Sequence, residues 1–172
     1  MKIARESGNS GKGGPSMLIQ TTQFGTVEFQ PEDVLLFPRG LIGYEECRHW
    51  ILTGDAENAA LAWLISLSQP NLALAVVSPR RFVSDYQVRL QKRELEELDT
   101  SSLADAHVLV VVSRHDEMLT VNLRAPIVVN LDCRIGKQVM TVDAQPLQHP
   151  VARISLDQSD AASRPIGLRK SA

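Results

Sequence analysis

The sequence has few cysteines, no long apolar run and no excess of positive charge, and each of these absences argues against a class of protein. Its two cysteines, Cys47 and Cys133, exclude a disulfide framework and a four-thiolate zinc site. No uninterrupted apolar run approaches the roughly 20 residues that a membrane-spanning helix requires. Eighteen Lys and Arg residues against 20 Asp and Glu residues give a net charge of −2, which argues against a generally basic nucleic-acid surface. We therefore expect a cytoplasmic protein that binds neither membranes nor nucleic acid directly.

The 172 residues are 44% hydrophobic, which is enough apolar material for the core of one domain. Residues 1–16 are crowded with Gly, Ser and Lys and have few large apolar side chains, so we expect a disordered extension. Residues 157–172 are similarly polar, and we expect a flexible tail there, with a docking peptide as the alternative interpretation. The folded domain is expected over residues 17–156. The tail is slightly basic through Arg164, Arg169 and Lys170.

Short apolar segments separated by Gly, Pro and Asn turns predict a mainly β fold. Residues 108–112 are apolar and rich in β-branched side chains, as in a strand that is covered on both faces. Residues 119–123 alternate between apolar and polar, which is the period of a half-buried strand. Further strands are predicted at residues 18–22, 26–29, 34–37, 49–53, 62–67, 72–77, 127–131 and 138–142.

One short helix is predicted at residues 91–98, where Leu95 and Leu98 lie three positions apart among strong helix formers. Many short strands with a single helix are typical of an antiparallel barrel or sandwich. We therefore predict a compact antiparallel β-barrel-like domain with one short helix.

Cys47 and His49 are two residues apart, and such residues face the same side of a strand. A thiol–imidazole pair of a small thiol-dependent hydrolase is one interpretation, and a half-buried Cys with a His at the rim is the other. His115, Asp116 and Glu117 fit a solvated hairpin tip, where no second cluster of ligands completes a metal site. We expect no catalytic site, no metal and no cofactor, which favours a binding module over an enzyme.

Two segments combine apolar, strand-like patterns with residues that interrupt strands. In the first, Gly40 and Gly43 enclose two aliphatic residues. In the second, Pro126 cannot donate to a β ladder and marks a break between two strands. Asn122 and Asn130 lie on either side of Pro126 and can satisfy backbone groups that the break exposes.

Four short motifs occur in a fixed order along the chain: FPRGLIGY at 37–44, VVSP at 76–79, TVNLRAPIVVN at 120–130 and GKQV at 136–139. Together they resemble the FliW family of flagellar assembly factors, and the resemblance covers about residues 18–150. The Asn-Leu-x-Ala-Pro-Ile core followed by Gly-Lys-Gln is its most specific part. The motif positions expected to be structural are Gly40, Gly43, Asn122, Pro126, Asn130, Gly136 and Gln138.

The resemblance implies a β-barrel without catalytic activity that acts in bacterial flagellum biogenesis. FliW-type proteins bind flagellin and, alternatively, CsrA, an RNA-binding translational repressor. When flagellin is secreted, free FliW captures CsrA outside its RNA surface and relieves the repression of flagellin synthesis. The resemblance therefore implies a chaperone-like CsrA antagonist that regulates translation and is a monomer when free. A generic protein- or RNA-binding barrel module is the alternative.

The expected partner surfaces differ in chemistry. Flagellin is largely helical at its ends and needs an apolar groove. An acidic patch brought near the RNA site of CsrA would oppose RNA binding, because phosphate electrostatics dominate RNA affinity. Core packing explains Leu41 equally well, and a solvated helix face explains the acidic residues equally well. The candidates are Leu41, Ile42, Tyr44, Asn122 and Pro126 for a partner surface, and Glu94, Glu96, Glu97 and Asp99 for the acidic patch.

Overall fold

The computed structural model describes residues 15–153 of the chain. The tail expected at residues 157–172 lies outside the described residues, as does the extension expected at residues 1–16 except for its last two positions. Within residues 15–153 the chain forms eleven strands and one α-helix. These are β1 (Met17–Thr21), β2 (Gly25–Phe29), β3 (Val34–Leu36), β4 (His49–Gly54), β5 (Leu61–Ser66), β6 (Ala73–Val77), α1 (Lys92–Glu97), β7 (His107–His115), β8 (Met118–Val121), β9 (Ile127–Asn130), β10 (Ile135–Gln138) and β11 (His149–Arg153).

Seven of these strands close into a barrel in the order β3, β4, β5, β6, β7, β9, β10 and back to β3. Every neighbouring pair is antiparallel except β3 and β10, which are parallel at the register Leu36 to Ile135. The backbone N–H of Leu36 donates to the carbonyl of Arg134 at 2.8 Å and supports this closure. The prediction of a mainly β, barrel-like domain with one short helix is thus confirmed, with a single parallel pair at the seam.

Strand β7 is nine residues long and belongs to two sheet regions. Its first residues pair with β9 and its middle residues pair with β6, and both pairings are part of the barrel sheet. Its last residues pair with β8 from Val112 to His115, and β8 in turn pairs with β11. The β7–β8 hairpin has exposed residues at its tip, where Asp116 takes a φ of 51°, so the solvated hairpin predicted there is confirmed.

Three apolar clusters stabilise the fold, one inside the barrel and two on its outer faces. The interior cluster includes Phe37, Trp50 and Leu64, none of which is measurably exposed. The β1–β2 hairpin covers one outer face around Trp63. The segment that carries α1 covers the other, because Tyr86 and Leu98 pack with residues of β7, β8 and β9. Burial of these side chains from water is the main source of stability.

The predicted strands differ from the observed ones in the last part of the described chain, from residue 135 onward. The strand predicted at residues 138–142 begins at Ile135 and ends at Gln138. Beyond it, Val139 and Thr141 still donate backbone hydrogen bonds at 2.9 Å to the carbonyls of Pro126 and Arg124. Strand β11 was not predicted at all, since Pro150 interrupts its pattern, and the register of β11 against β8 shifts beyond that proline.

Candidate partner-binding site

The loop between Gly40 and Tyr44 is a tight turn that two glycines make possible. Gly40 has a φ of +64°, and a Cβ built there would lie 2.5 Å from the carbonyl oxygens of Tyr44 and Glu45. The turn is closed by the N–H of Tyr44, which donates to the carbonyl of Leu41 at 2.8 Å. As a result Leu41 points into the interior cluster at 2% exposure, whereas Ile42 is 57% exposed.

Gln138 fastens this loop to the barrel. Its Oε1 accepts from the backbone N–H of Ile42 at 2.9 Å, and its Nε2 donates to the carbonyl of Ala125 at 2.9 Å. Nearby, Gly136 leaves room for the ring of Phe37, whose Cζ would lie 2.3 Å from a Cβ at position 136. The first and last family motifs therefore meet in space through one glutamine and one glycine.

Asn122 shapes the connection between β8 and β9, as the sequence predicts. Its Oδ1 accepts from the backbone N–H groups of Arg124 at 3.1 Å and Ala125 at 3.0 Å, so the break in the ladder leaves these donors satisfied. Pro126 is buried, and its carbonyl accepts from Val139. Pro126 is thus a structural residue of this turn and presents little surface to a partner.

Asn130 holds the end of the helical segment against the barrel. Its Nδ2 donates to the carbonyls of Leu98 at 3.0 Å and Asp99 at 3.2 Å. Its Oδ1 accepts from the N–H groups of Asp132 and Cys133. A single buried side chain therefore satisfies two carbonyls beyond α1 and two donors of the β9–β10 turn.

A groove of about 380 Å³ opens at the mouth of the barrel beside the Gly40–Tyr44 loop. Its floor contains Leu41, which belongs to the interior cluster, with Leu74 and Val111, which pack against that cluster. Large, exposed apolar side chains surround the groove, and exposed apolar patches of this kind are typical of interaction sites on proteins. We call this feature the mouth groove; its exposed apolar residues are Ile42, Tyr44, Met140 and Leu147.

The structure brings four of the predicted partner residues together, because Leu41, Ile42, Tyr44 and Asn122 all line the mouth groove. Leu41 contributes to its floor and is otherwise a core residue. Sequence reasoning missed six lining residues, and one of them carried a usable signal. In the predicted strand at 138–142, Met140 is exposed at 54% between the buried Val139 and Thr141, so an apolar residue occupies the outward face. The missed residues are Leu74, Val111, Ser113, Ala125, Met140 and Leu147.

The acidic residues of α1 lie outside the groove and are mostly neutralised. Glu97 accepts a hydrogen bond from Nζ of Lys137 at 2.8 Å, and this contact lowers the pKa of Glu97 below its ordinary value. Glu94 lies 3.5 Å from the same Nζ, and Arg39 reaches Glu97 at 3.2 Å. Glu96 differs, since its side chain is 63% exposed and lies 3.8 Å from Lys92. The expected acidic patch is thus a balanced ionic network with one outward carboxylate on α1.

The residues considered for catalysis or metal binding are not assembled into such sites. Cys47 is buried in the interior cluster, whereas His49 is exposed, so the thiol and the imidazole do not share a face. His115 is exposed and lies 3.7 Å from the carboxylate of Asp116. Across residues 15–153, no group of three or more His, Cys, Asp or Glu residues could hold a metal ion.

Within residues 15–153, no helix is long and apolar enough to cross a bilayer.

Comparison with known proteins agrees with the motifs and the fold. The chain matches the family model described as "FliW protein" over residues 18–151. It is 36% identical over 129 residues to the "Flagellar assembly factor FliW" of Bdellovibrio bacteriovorus, covering 74% of each chain. The factor of the same name from Clostridium tetani is 34% identical over 126 residues, which is 72% of this chain and 87% of that one.

A solved structure, the "Crystal structure of the flagellar assembly factor FliW", superposes with a TM-score of 0.70 at 26% identity. The match covers 81% of this chain and 98% of that one, so the shared barrel is nearly the whole of the known structure. These relatives are named as assembly factors, a name that specifies no reaction. The chain belongs to the FliW family of flagellar assembly factors.

Proposed function

We propose that this protein is a non-catalytic flagellar assembly factor that binds flagellin in the cytoplasm and, when flagellin is absent, binds the translational repressor CsrA. Capture of CsrA relieves the repression of flagellin synthesis, which couples flagellin translation to flagellin secretion. Family membership supports this role, and the mouth groove is the observation that supports a binding surface.

The mouth groove has the chemistry expected of a site for an amphipathic helix. Ile42, Met140 and Leu147 give it exposed apolar anchors, and no charged side chain lines it. An apolar helix face binds such a groove through a few anchors spaced by one helical turn. The ends of flagellin are largely helical, so we assign flagellin to this groove.

The architecture around the groove favours a rigid site. Gly40 and Gln138 set the path of the loop, and Asn122 sets the turn on the opposite side. Binding to a preformed surface avoids the cost of ordering loops, which raises affinity for a given buried area. In this proposal the family motif supports the groove from beneath and supplies Ile42, and Met140 and Leu147 supply contacts from outside the motif.

The CsrA surface is proposed separately, on the helical side of the barrel. Glu94 and Glu97 are held by Lys137, so they contribute little free negative charge. Glu96 is the α1 carboxylate that projects outward, with Asp99 exposed just beyond the helix. We propose that these two carboxylates face the bound repressor and disfavour phosphate binding nearby, because like charges reduce RNA affinity without blocking the RNA surface itself.

The test uses the purified full-length chain with flagellin and CsrA from the same organism. Size-exclusion chromatography detects each complex, and calorimetry gives each Kd. We expect micromolar or tighter binding of both, about −8 kcal/mol or better. Displacement of CsrA by added flagellin would show in addition that the two surfaces are coupled. Absence of binding to both partners, with the barrel folded by circular dichroism, would contradict the proposed function.

A further inference from the structure

Two segments contribute the exposed apolar residues of the mouth groove, Ile42 and Tyr44 from 42–46 and Met140 and Leu147 from 140–147. The same two segments carry three exposed acidic residues, Glu45, Glu46 and Asp143, and no Lys or Arg. The cations next to these segments along the chain are Arg48, two residues beyond Glu46, and Arg124 in the Asn122 turn. An occupant that carries apolar side chains between basic residues therefore complements both the apolar surface and the acidic residues of these segments.

The same chain contains a segment of that chemistry. After Leu156 the sequence has two large apolar side chains, Ile166 and Leu168, in an otherwise polar stretch. They lie within the sequence RPIGLRK at residues 164–170, where Arg164 precedes them and Arg169 and Lys170 follow. The spacing places both apolar residues between cations.

The chain is long enough to bring this segment to the groove. Strand β11 ends at Arg153 opposite Met118, and the groove begins at Asn122, four residues along β8 and about 13 Å away. Twelve residues lie between Arg153 and Ile166, so thirteen peptide steps join the two. For comparison, a random-coil polypeptide of thirteen peptide steps has a root-mean-square span of about 20 Å. A linker matched to its span gives an effective concentration in the millimolar range.

We propose that residues 164–170 of the same chain bind in the mouth groove and compete there with the incoming partner. Ile166 and Leu168 occupy the apolar floor, and the flanking cations approach Glu45, Glu46 and Asp143. At a millimolar effective concentration, a segment of millimolar to sub-millimolar intrinsic affinity fills the groove for much of the time. The apparent affinity for flagellin then falls roughly two- to tenfold, because only the open fraction binds. The inference rests on the proposed function only in naming that competitor.

The first measurement is made without any partner. A nitroxide is attached to the full chain through Ser171→Cys in a Cys133→Ser background, since Cys133 is exposed and Cys47 is buried. We expect paramagnetic broadening of the methyl signals of Ile42, Met140 and Leu147. The matched control adds Ile166→Asp and Leu168→Asp to the same labelled chain, and we expect it to lose this broadening.

Three results would overturn the proposal: no preferential broadening of the groove methyls, equal broadening in the control, or broadening that rises with protein concentration, which indicates docking between copies. The second measurement titrates flagellin into both chains. Flagellin should remove the broadening and bind the control two- to tenfold more tightly, and equal affinities would contradict competition. If flagellin binds neither chain, the proposed function fails, while the broadening still decides the docking of the tail.

Discussion

Gly136 and Gly43 both belong to the family motif, but the space around them differs. A Cβ at position 136 would lie 2.3 Å from the buried ring of Phe37, whereas nothing lies within 4 Å of a Cβ at position 43. Gly43 instead has a φ of +83°. We expect Gly136→Ala to lower the free energy of unfolding by roughly 3 kcal/mol through overpacking, and Gly43→Ala by about 1 kcal/mol through backbone strain alone.

Urea denaturation of the two glycine variants measures this difference directly. Equal losses, or a larger loss at Gly43, would show that the contact with Phe37 is relieved by a shift of the backbone.

Tyr86 anchors the segment that carries α1. It is buried, and its hydroxyl donates to the carbonyl of Leu123 at 2.6 Å. We expect Tyr86→Phe to cost about 1–3 kcal/mol, because the buried carbonyl loses its partner. The control Tyr44→Phe removes an exposed hydroxyl and should change stability by less than about 0.5 kcal/mol. Thermal or urea unfolding at neutral pH distinguishes the two variants.

The same tyrosine predicts a loss of stability in alkali. Burial raises the pKa of Tyr86 from 10.0 to about 12. Since the folded state holds the proton more tightly, the contribution is fully present below pH 10 and is lost as the pH rises through 12. The wild type should therefore lose more stability than Tyr86→Phe over this range, and identical pH profiles would contradict the assignment.

Some side-chain contacts could be predicted from the sequence and others could not. Asn122 satisfies backbone donors at the break before Pro126, as predicted, because its partners are local. Asn130 was expected to serve the same break, but it accepts from the β9–β10 turn and donates to the carbonyls of Leu98 and Asp99, more than 30 residues away. The contact between Glu97 and Lys137 spans 40 residues and carries no local signal. Leu41 and Ile42 are adjacent and chemically alike, so only the three-dimensional turn determines which one is buried.

At the scale of elements, α1 is too short to be stable alone, since helices of six residues are marginal in water. Its position depends on the burial of Leu98 and on the ionic contacts of Glu94 and Glu97 with Lys137 of β10. The position of the helix is thus set by tertiary contacts. The sequence predicts the helix but does not predict which barrel strand it contacts.

The ionic contact of α1 gives a prediction for acid stability. The hydrogen bond from Lys137 lowers the pKa of Glu97, so its contribution is present above the unfolded value of 4.5 and is lost as the pH falls through the lower folded value. Glu97→Gln should cost roughly 1–2 kcal/mol at pH 7 and reduce the loss of stability in acid. Glu96→Gln, at an exposed site, should match the wild type. Parallel acid profiles for Glu97→Gln and the wild type would contradict this role.

Some strands could be predicted from their own residues, whereas the pairing of others depends on residues far away along the chain. Residues 108–112 were recognisable because their continuous apolar pattern requires cover on both faces. Strand β11 was missed because Pro150 is typical of non-strand sequence, although a proline is tolerated where a strand has a free edge. The parallel pairing of β3 with β10 joins residues about 100 positions apart, and nothing in either short strand specifies it.

At the scale of the whole molecule, barrel closure creates the candidate site. Segments near residues 42, 74, 111, 122, 140 and 147 meet only because seven strands form a ring. The family motif accounts for the scaffold of this mouth and for the exposed residues Ile42 and Tyr44, whereas Met140 and Leu147 come from outside it. The charge around the predicted acidic patch likewise depends on folding, which places Arg39 and Lys137 from two distant segments against Glu97, beside the local contact of Arg93 within α1.

At this scale the proposed function depends on flagellin binding in the mouth groove. Its most direct test is a calorimetric titration of flagellin into the full-length wild type, Ile42→Asp and the control Leu18→Asp, which places a charge at an exposed β1 position outside the groove. We expect micromolar or tighter Kd values for the wild type and Leu18→Asp, and at least about tenfold weaker binding for Ile42→Asp because it loses an apolar anchor. Equal Kd values for all three chains, or no binding by the folded wild type, would contradict the account.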